Sequence, residues 1–509
     1  MRPLIPIALL AFASSLSAQT ASVKPSPALE KAAGTITAAD VGRRIHIIAD
    51  DSMMGRDTPS PGLEMTAQYV ADEFKRFGLK PGGDNGTWFQ RYDIIQTRFT
   101  PAASHVGFMA GDQHVEAEFT RSARYRYGTI PAGEFGGTAY VIGGALDGEA
   151  LKAVELKGRV VVLVVDNRKP PTPGFNQAFR DIRLKGPAAL VILSNRDSTQ
   201  VAAMMAQPYR TSLRRGAAPA GGPAVEVWEP AVATVLTAAG VNTAEIRAST
   251  TAFVREVPAL RVMLDLKEEV VKKTTAPNTI GILEGSDPRL KSEYVVYSAH
   301  MDHVGISPGK ADSINNGADD DASGTVAVVE LAEAFSQKGA RPKRSVLFIT
   351  VSGEEKGLWG SEHFTNHPTV PLPNIVADIN IDMIGRNWAD TIVAIGREHS
   401  DLGETLARVN AAHPELNMTA IDDKWPEERF YYRSDHYNFA KKGVPILFFF
   451  NGVHEDYHQP SDSPDKIGTD KHARITQLLF YLGQEIANTP ERPKWNPDSY
   501  QKIVVGGRE

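Results

Sequence analysis

Residues 294–303 read YVVYSAHMDH and decide how the second half of the chain folds. The run from Tyr294 to Ser298 is short and apolar, which is typical of a buried strand. Polar side chains follow it at once, at His300, Asp302 and His303. The stretch therefore predicts a buried strand that is followed directly by candidate functional side chains.

The same arrangement repeats along the chain from about residue 276 onward. A helix with an apolar buried side is predicted for Gly324–Phe335, and a final helix for Thr469–Asn488. Strands that alternate with helices indicate an α/β fold, a mixed twisted sheet covered by helices on both faces. In such sheets ligands bind at the carboxyl ends of the strands. Further strands are predicted at Val346–Val351, Ile375–Ile381, Thr391–Ile395 and Pro445–Phe450.

The rest of the chain divides into several predicted regions. A helix from Gly62 to the stop signal Gly78 should pack on a larger body. Short β-branched runs, separated by Pro- and Gly-rich connections, predict a β-rich insert that supports or gates a site elsewhere. The predicted regions are a signal peptide at 1–18, a linker at 19–38, the first part of the main domain at 39–96, the insert at 97–270, the rest of the main domain at 271–492 and a C-terminal tail at 493–509.

Composition excludes several classes of protein. The 509 residues are 42% hydrophobic and 23% charged, as in globular domains with real cores. The 55 Lys and Arg against 61 Asp and Glu give a net charge of -6, which argues against a nucleic-acid partner. Because the sequence has no Cys, any metal site must use His and carboxylates.

The first residues have the layout of a secretory signal peptide. Arg2 is basic, Leu4 to Ala13 are mostly apolar, and small residues precede Gln19. The apolar run is shorter than the roughly 20 residues that cross a bilayer, and no later stretch is predicted to cross one. We therefore expect an exported protein, periplasmic or extracellular, without stable membrane insertion.

Acids and imidazoles gather where predicted strands end. The three adjacent aspartates 319–321 repel one another unless cations or a helix start offset their charge. The helix that follows Ser323 can neutralise one of them, and a metal ion is the simplest partner for the others. Zinc suits a ligand set of His and carboxylates, and manganese or cobalt would fit as well. The other members of this pattern are His300, Asp302, His303, Glu354, Glu355, Asp382 and His454–His458.

Five motifs, in the same order along the chain, resemble those of the co-catalytic di-zinc aminopeptidases, family twenty-eight of the metallopeptidases. The resemblance covers about 276–490, together with the helical segment around 40–95. Segments 157–163 and 185–192 of the insert resemble the protease-associated domain found inside some members. The five motifs are His300-x-Asp302, GADDDASG at 317–324, GEEKGLWGS at 353–361, NIDMIG at 380–385 and Tyr457-His458.

The resemblance implies a zinc aminopeptidase-like fold that holds two Zn²⁺ ions per chain. Asp320 would bridge the ions, and the Asp320–Asp321 peptide would be cis. Glu354 would act as the general base, Asp302 would orient His300, and Tyr457 would donate to the oxyanion. The protein ligands would be completed by His300 and Asp382 for one ion and by Glu355 and His458 for the other.

Three further residues receive weaker assignments from the sequence. His303 is expected in a loop or supporting role beside the metal motif. Arg433 and Asp435 resemble a recurrent segment at the rim of the family's active site, where substrate contact and structural hydrogen bonding are both open.

The resemblance leaves three functions to compare. The first is an aminopeptidase that removes N-terminal residues from peptides, because carboxylates can hold a free α-ammonium group. The second is a carboxypeptidase of the same fold, for which Arg386, Arg429 and Arg433 could bind a C-terminal carboxylate. The third is a non-catalytic, receptor-like protein, which would need lost ligands, and none is lost. Side-chain preference and oligomeric state stay open.

Overall fold

The computed structural model describes residues 26–506 apart from 129, 132, 147, 171–174, 216–221 and 310. These residues form two compact units, one built from the chain up to 91 and from 276 onward, the other from 92 to 275. The insert predicted at 97–270 lies within the second unit. The signal peptide predicted at 1–18 lies outside the described residues.

The first unit has a mixed sheet with helices on both faces, as the sequence predicts. Its sheet runs in the order Thr419–Ile421, Thr391–Ile395, Ile446–Phe449, Ile375–Ile381, Tyr294–His300, Ser345–Val351 and Glu268–Leu283, with Lys80–Pro81 on the last strand. Its helices are Pro27–Ala33, Ala38–Ile48, Pro61–Arg76, Gly324–Phe335, Trp359–Asn366, Leu402–Ala412, His436–Ala440, Thr469–Asn488 and Pro497–Tyr500.

Both faces of this sheet are buried, and alternate side chains of one strand enter different cores. Val295 and Tyr297 pack with the helices Gly324–Phe335 and Thr469–Asn488, whereas Val296 packs on the opposite face. A strand covered on both sides must be apolar at nearly every position. That requirement explains why these strands are visible in the sequence as continuous apolar runs.

Two segments that the sequence predicts as a linker and a C-terminal tail contain packed residues in the described part of the chain. The predicted linker 19–38 contains the helix Pro27–Ala33, where the Ser26 side chain accepts the N–H of Leu29 and the alanines at the helix end are buried. Alanine is the strongest helix former, so a short apolar alanine segment can dock as a helix. The predicted tail 493–509 also packs on the unit, since Trp495 donates to the Gly443 carbonyl and Ile503 is buried.

The second unit is a strand-rich body with its own hydrophobic core. Its sheet runs in the order Gln113–Glu118, His105–Ala110, Ala252–Asp265, Phe135–Gly144, Val160–Val164, Ala189–Ser194, Ala224–Trp228 and Ala123–Tyr127, and Thr211–Arg215 pairs with residues 94–98 of the strand Phe89–Phe99. Short helices connect the strands: Gly148–Lys152, Phe175–Leu184, Ser198–Ala206, Ala233–Ala238 and Thr243–Ala248.

Within the described parts of both units, no helix combines the length and the apolar character that a membrane span requires.

Candidate functional site

Three neighbouring parallel strands place the candidate functional side chains of the first unit at one edge of its sheet. The strand Tyr294–His300 pairs in parallel with Ser345–Val351 on one side and with Ile375–Ile381 on the other. Their carboxyl ends therefore meet at the same edge. His300, the pair Glu354 and Glu355, and Asp382 stand at or just after these ends.

The three adjacent aspartates, all buried, have three different sets of partners. Asp321 accepts the backbone N–H groups of His300, Gly324 and Met383, and so caps the helix Gly324–Phe335. Asp319 accepts the N–H of Gly385. Asp320 instead points its carboxylate at histidine rings, and the Asp320–Asp321 peptide is cis. Backbone hydrogen bonds thus leave Asp320 as the aspartate turned toward the site.

The two carboxylate oxygens of Asp320 face two different groups of side chains. Its Oδ1 lies 3.3 Å from Nε2 of His300, and that same nitrogen lies 3.6 Å from Oδ1 of Asp382. Its Oδ2 lies 3.1 Å from Nε2 of His458. A carboxylate in this position can link two cations, each held by one of its oxygens.

The second group contains four potential donors, one more than the sequence predicts. Glu355 Oε1 lies 3.1 Å from Nε2 of His458 and 3.0 Å from Nδ1 of His303. The same Nδ1 lies 3.5 Å from Oδ2 of Asp320. His303, expected to play a loop or supporting role, therefore sits among the potential ligands.

The donor set fits cations. Among the described residues, several buried atoms at these two groups have no hydrogen-bond partner, including Asp320 Oδ2, Asp382 Oδ1, Glu355 Oε1 and Nε2 of His458. Unpaired buried polar atoms are costly, and a cation satisfies lone pairs of carboxylates and imidazoles together. Because the sequence has no Cys, the ligands are oxygen and nitrogen alone, a set that zinc accepts.

Burial and the closely spaced charges shift the pKa values of several side chains in the site. Burial, together with nearby carboxylates such as that of Asp435, raises the pKa of Glu354 well above its usual range. Burial and the surrounding carboxylates likewise raise the pKa of the Tyr457 hydroxyl. Burial opposes charge on the His458 ring, but the carboxylates of Asp320 and Glu355 outweigh it and raise the His458 pKa to about 10. The site has a strongly negative potential that attracts cations.

Asp302 forms contacts with His300 and also with the loop that carries Glu354. Nδ1 of His300 lies 3.1 Å from the Asp302 backbone carbonyl and 3.8 Å from its carboxylate, so the carbonyl is the nearer acceptor. The Asp302 carboxylate accepts the N–H of Glu354 and the hydroxyl of Thr58. With the Nδ1 proton held there, Nε2 of His300 keeps its lone pair toward Asp320 and Asp382.

A pocket opens beside the first donor group. Its polar side includes His300, Asp320, Glu354, Asp382 and Tyr457, and its apolar side Met383, Phe430, Phe448, Phe450 and Val453. Arg433 also lines it, with its guanidinium 4.7 Å from the centre of the Phe430 ring and 3.4 Å from Glu428. Asp435 is fully buried beside the pocket, and burial raises its pKa to about 7.

Two supporting residues have no signal in the local sequence. Arg56 is fully buried and donates to the backbone carbonyls of Ile48, Met301, Asn316 and Gly317. Asp462 accepts the N–H groups of Asp319 and Asp320 through its carboxylate. Both fix loops that come from distant parts of the chain, which sequence spacing does not predict.

Parts of known proteins are similar in sequence to this chain. The chain is 26% identical over 246 residues to the aminopeptidase YwaD of Bacillus subtilis (strain 168), which covers 45% of this chain and 49% of that protein. It is 27% identical over 262 residues to a probable zinc metalloprotease of Pyrenophora tritici-repentis (strain Pt-1C-BFP), covering 43% and 53%. The chain thus spans about half the length of the curated relatives it matches.

A solved structure supports the fold over nearly the whole chain. The aminopeptidase from Aneurinibacillus sp. strain AM-1 superposes with a TM-score of 0.51 at 18% identity, covering 91% of this chain and 97% of that one. Residues 278–483, which contain every donor of both groups and every residue of the pocket, match the family described as peptidase family M28. The match to peptidase family M28 is thus confined to residues 278–483, the segment that holds the site.

Proposed function

We propose that this chain is an exported, zinc-dependent aminopeptidase that hydrolyses the N-terminal peptide bond of peptides. One observation carries the proposal: the two oxygens of Asp320 face separate donor groups at 3.3 Å and 3.1 Å from His300 and His458. The match to peptidase family M28 and the names of the relatives, an aminopeptidase and a probable zinc metalloprotease, support the same class of reaction.

The proposed centre holds two zinc ions that share Asp320. His300 and Asp382 would complete the protein ligands of one ion, and Glu355 and His458 belong to the other. Zinc held there would polarise the scissile carbonyl and lower the pKa of a water molecule toward neutrality.

The chain's own residues then move the proton and stabilise charge. Glu354 lines the pocket, and burial raises its pKa, which makes its carboxylate a stronger proton acceptor; it can take a proton from water and return it to the leaving amine. The raised pKa keeps the Tyr457 hydroxyl protonated, ready to donate a hydrogen bond to the developing oxyanion.

The pocket favours a substrate with a free amine and an apolar first side chain. Carboxylates of Asp320, Glu354 and Asp382 line its polar side and can attract an α-ammonium group. Rings of Phe430, Phe448 and Phe450 line its other side. Burial of an apolar side chain against these rings removes apolar surface from water.

The carboxypeptidase alternative would bind a C-terminal carboxylate through Arg433, which lines the pocket. Of the three arginines considered, Arg433 lines the pocket, whereas Arg386 is paired with Asp456 at 3.0 Å. Arg433 itself stands near Glu428 at the protein surface. A C-terminal carboxylate would enter a pocket that already holds several carboxylates, and their repulsion favours the aminopeptidase.

Turnover of leucine and phenylalanine p-nitroanilides by the purified full chain tests the proposal. We expect activity that disappears with a chelator, returns with zinc, and is absent on N-acetylated substrates. Glu354→Gln should lower kcat by about 10²–10⁴-fold without loss of zinc, because only the proton acceptor is removed. The control is Glu455→Gln, which changes an exposed carboxylate on the loop of Tyr457 and should keep wild-type turnover.

Two results would contradict the proposal. Full turnover by Glu354→Gln would remove the assigned base. Cleavage confined to N-acetylated peptides with free C-termini, lost on Arg433→Ala, would establish the carboxypeptidase instead.

Export and the role of the second unit belong to the same proposal. Protein recovered outside the cytoplasm should begin at or near Gln19, which N-terminal sequencing would show. The second unit is proposed to be a protease-associated domain that supports or gates the site. Among the described residues, both groups of candidate metal ligands lie in the first unit.

A further inference from the structure

Neither ring nitrogen of His303 makes a hydrogen bond of good geometry, a property that it shares with His454, but its Nδ1 faces the Glu355 carboxylate at 3.0 Å. Its side chain is fully buried. Other buried rings contact backbone acceptors, since Nε2 of His436 lies 2.7 Å from the Tyr431 carbonyl and Nε2 of His472 lies 2.8 Å from the Ser323 carbonyl. A buried imidazole that faces carboxylates without a well-formed hydrogen bond is not fully compensated for its lost hydration.

The position of His303 matches the geometry of a metal ligand. Four donor atoms at 2.0–2.1 Å from a tetrahedral zinc ion are about 3.3–3.4 Å apart. Nδ1 of His303 lies 3.5 Å from Asp320 Oδ2 and 3.0 Å from Glu355 Oε1. Those oxygens lie 3.1 Å each from Nε2 of His458. These distances between donor atoms therefore scatter around the value expected for a tetrahedral zinc site.

We propose that His303 is a fourth protein ligand of the zinc ion held by Asp320, Glu355 and His458. This inference rests on the proposed two-zinc centre and goes beyond it, because it makes the two sites unequal. The ion beside His300 and Asp382 has three protein donors, as catalytic zinc sites do, whereas the ion beside His303 has four, as structural sites do.

The pocket supports this division independently. It is lined by His300, Asp320 and Asp382, whereas His303, Glu355 and His458 are absent from its lining. The site with three protein donors thus faces the pocket. Apart from Asp320, the site with four donors contributes no side chain to the pocket lining, and it should keep its ion longest when zinc is withdrawn.

X-ray absorption at the zinc edge distinguishes a ligand from a supporting residue. With His303 bound, the two-zinc protein contains three imidazoles for two ions, an average of about 1.5 per ion. A His303 that only hydrogen-bonds to Glu355 would leave about 1.0. The wild-type spectrum alone decides between these values, so the test does not depend on a variant that folds.

Zinc affinity, measured by competition with a chelator, gives the second readout. His303→Asn should weaken one of the two ions by at least about 100-fold, more than the 10–100-fold typical of a supporting residue. In the variant loaded with two ions, it should also lower the average to about 1.0 imidazole per ion. The matched control is His436→Asn, another fully buried histidine, which should change neither zinc affinity nor imidazole count.

The outcomes separate this inference from the proposed function. A wild-type protein that binds two zinc ions with an average of about 1.0 imidazole overturns the role of His303 and leaves the peptidase intact. Equal zinc affinities of wild type and His303→Asn overturn it as well. A wild-type protein that binds no zinc contradicts the proposed function itself.

Discussion

The three adjacent aspartates have the same side chain but contact different partners, because different backbone groups surround each of them. Asp321 is occupied by three backbone N–H groups, and Asp319 accepts that of Gly385. Asp320 keeps its oxygens free for His300 and His458. The sequence predicts that the three charges need partners and that a helix can cap one of them. Which aspartate takes which partner follows from the fold.

The variant Tyr457→Phe tests how much the Tyr457 hydroxyl contributes to turnover. The Tyr457 ring stacks on His458 with 3.9 Å between ring centres, and its pKa is raised, so the hydroxyl stays protonated and in place. Phenylalanine keeps the stacking and removes only the donor. We expect kcat to fall by about 10²–10³-fold with little change in KM, because the hydrogen bond strengthens as the oxyanion forms. Steady-state kinetics on leucine p-nitroanilide measure both parameters.

A rise in KM at unchanged kcat would contradict this assignment. It would indicate that the hydroxyl binds the substrate equally in the ground state and the transition state.

At the scale of elements, the loop that carries Asp320 is fixed by a loop far along the chain. The Asp462 carboxylate accepts the N–H groups of Asp319 and Asp320, and its carbonyl accepts that of Ala318. The strands and helices that flank this loop are visible in the sequence as apolar patterns. The contact across 142 residues has no such pattern.

Asp462→Ala should loosen the proposed metal centre without changing a proposed ligand. Its loss leaves buried N–H groups unpaired, at about 1–3 kcal/mol for each group, and frees the Asp320 carboxylate to move. We expect zinc affinity to fall by about 10–100-fold, as for other residues that support metal ligands. Chelator competition measures the affinity, and thermal unfolding of the metal-free protein measures the stability.

Asp462→Asn is the matched control, because its side chain keeps one acceptor oxygen. It should lie between wild type and Asp462→Ala in zinc affinity. Equal zinc affinity of wild type and Asp462→Ala would show that the loop holds its position without this carboxylate.

At the scale of the whole first unit, the N-terminal helices complete the core around a buried ion cluster. Arg44 is fully buried and contacts Glu73 at 3.1 Å, Glu330 at 2.5 Å, and Glu333. Arg76 also contacts Glu73 and Glu333, at 2.7 Å and 3.9 Å, so the ion pair of Glu330 is the one with Arg44. Burial, which outweighs the attraction of Arg44, raises the pKa of Glu330 from 4.5 to about 7.

This cluster makes stability depend on pH. Between pH 4.5 and about 7 the folded protein holds a proton on Glu330 that the unfolded chain has released, so the free energy of unfolding falls as pH rises. The shift corresponds to a loss on the order of 3 kcal/mol across that window. Glu330→Gln removes the titration. Urea unfolding at pH 5 and at pH 7.5 should therefore show the variant gaining stability relative to wild type at the higher pH.

Glu455→Gln, an exposed carboxylate of the same unit, is the control and should follow wild type at both values of pH. Parallel pH profiles of wild type and Glu330→Gln would show that Glu330 stays ionised beside Arg44.

The sequence by itself determined the order of the elements and the candidate chemistry. Strands buried on both faces must be apolar throughout, so Ile375–Ile381 and Thr391–Ile395 have the bounds that the sequence predicts. The α/β fold, the cluster of acids and imidazoles at strand ends, and the resemblance to a zinc peptidase family follow from such local patterns. The docking of the helix Pro27–Ala33 and of Trp495 and Ile503 was not predicted, because it depends on a surface built elsewhere.

Only the tertiary structure decided which side chains meet. His303 joins Glu355 and His458, and Asp462 supports Asp320, because loops separated by many residues converge at one edge of the sheet. Periodicity and motif spacing describe neighbours along the chain, whereas a metal centre depends on distances of 3–4 Å between atoms of remote segments. Those distances are set by packing, which no local pattern contains.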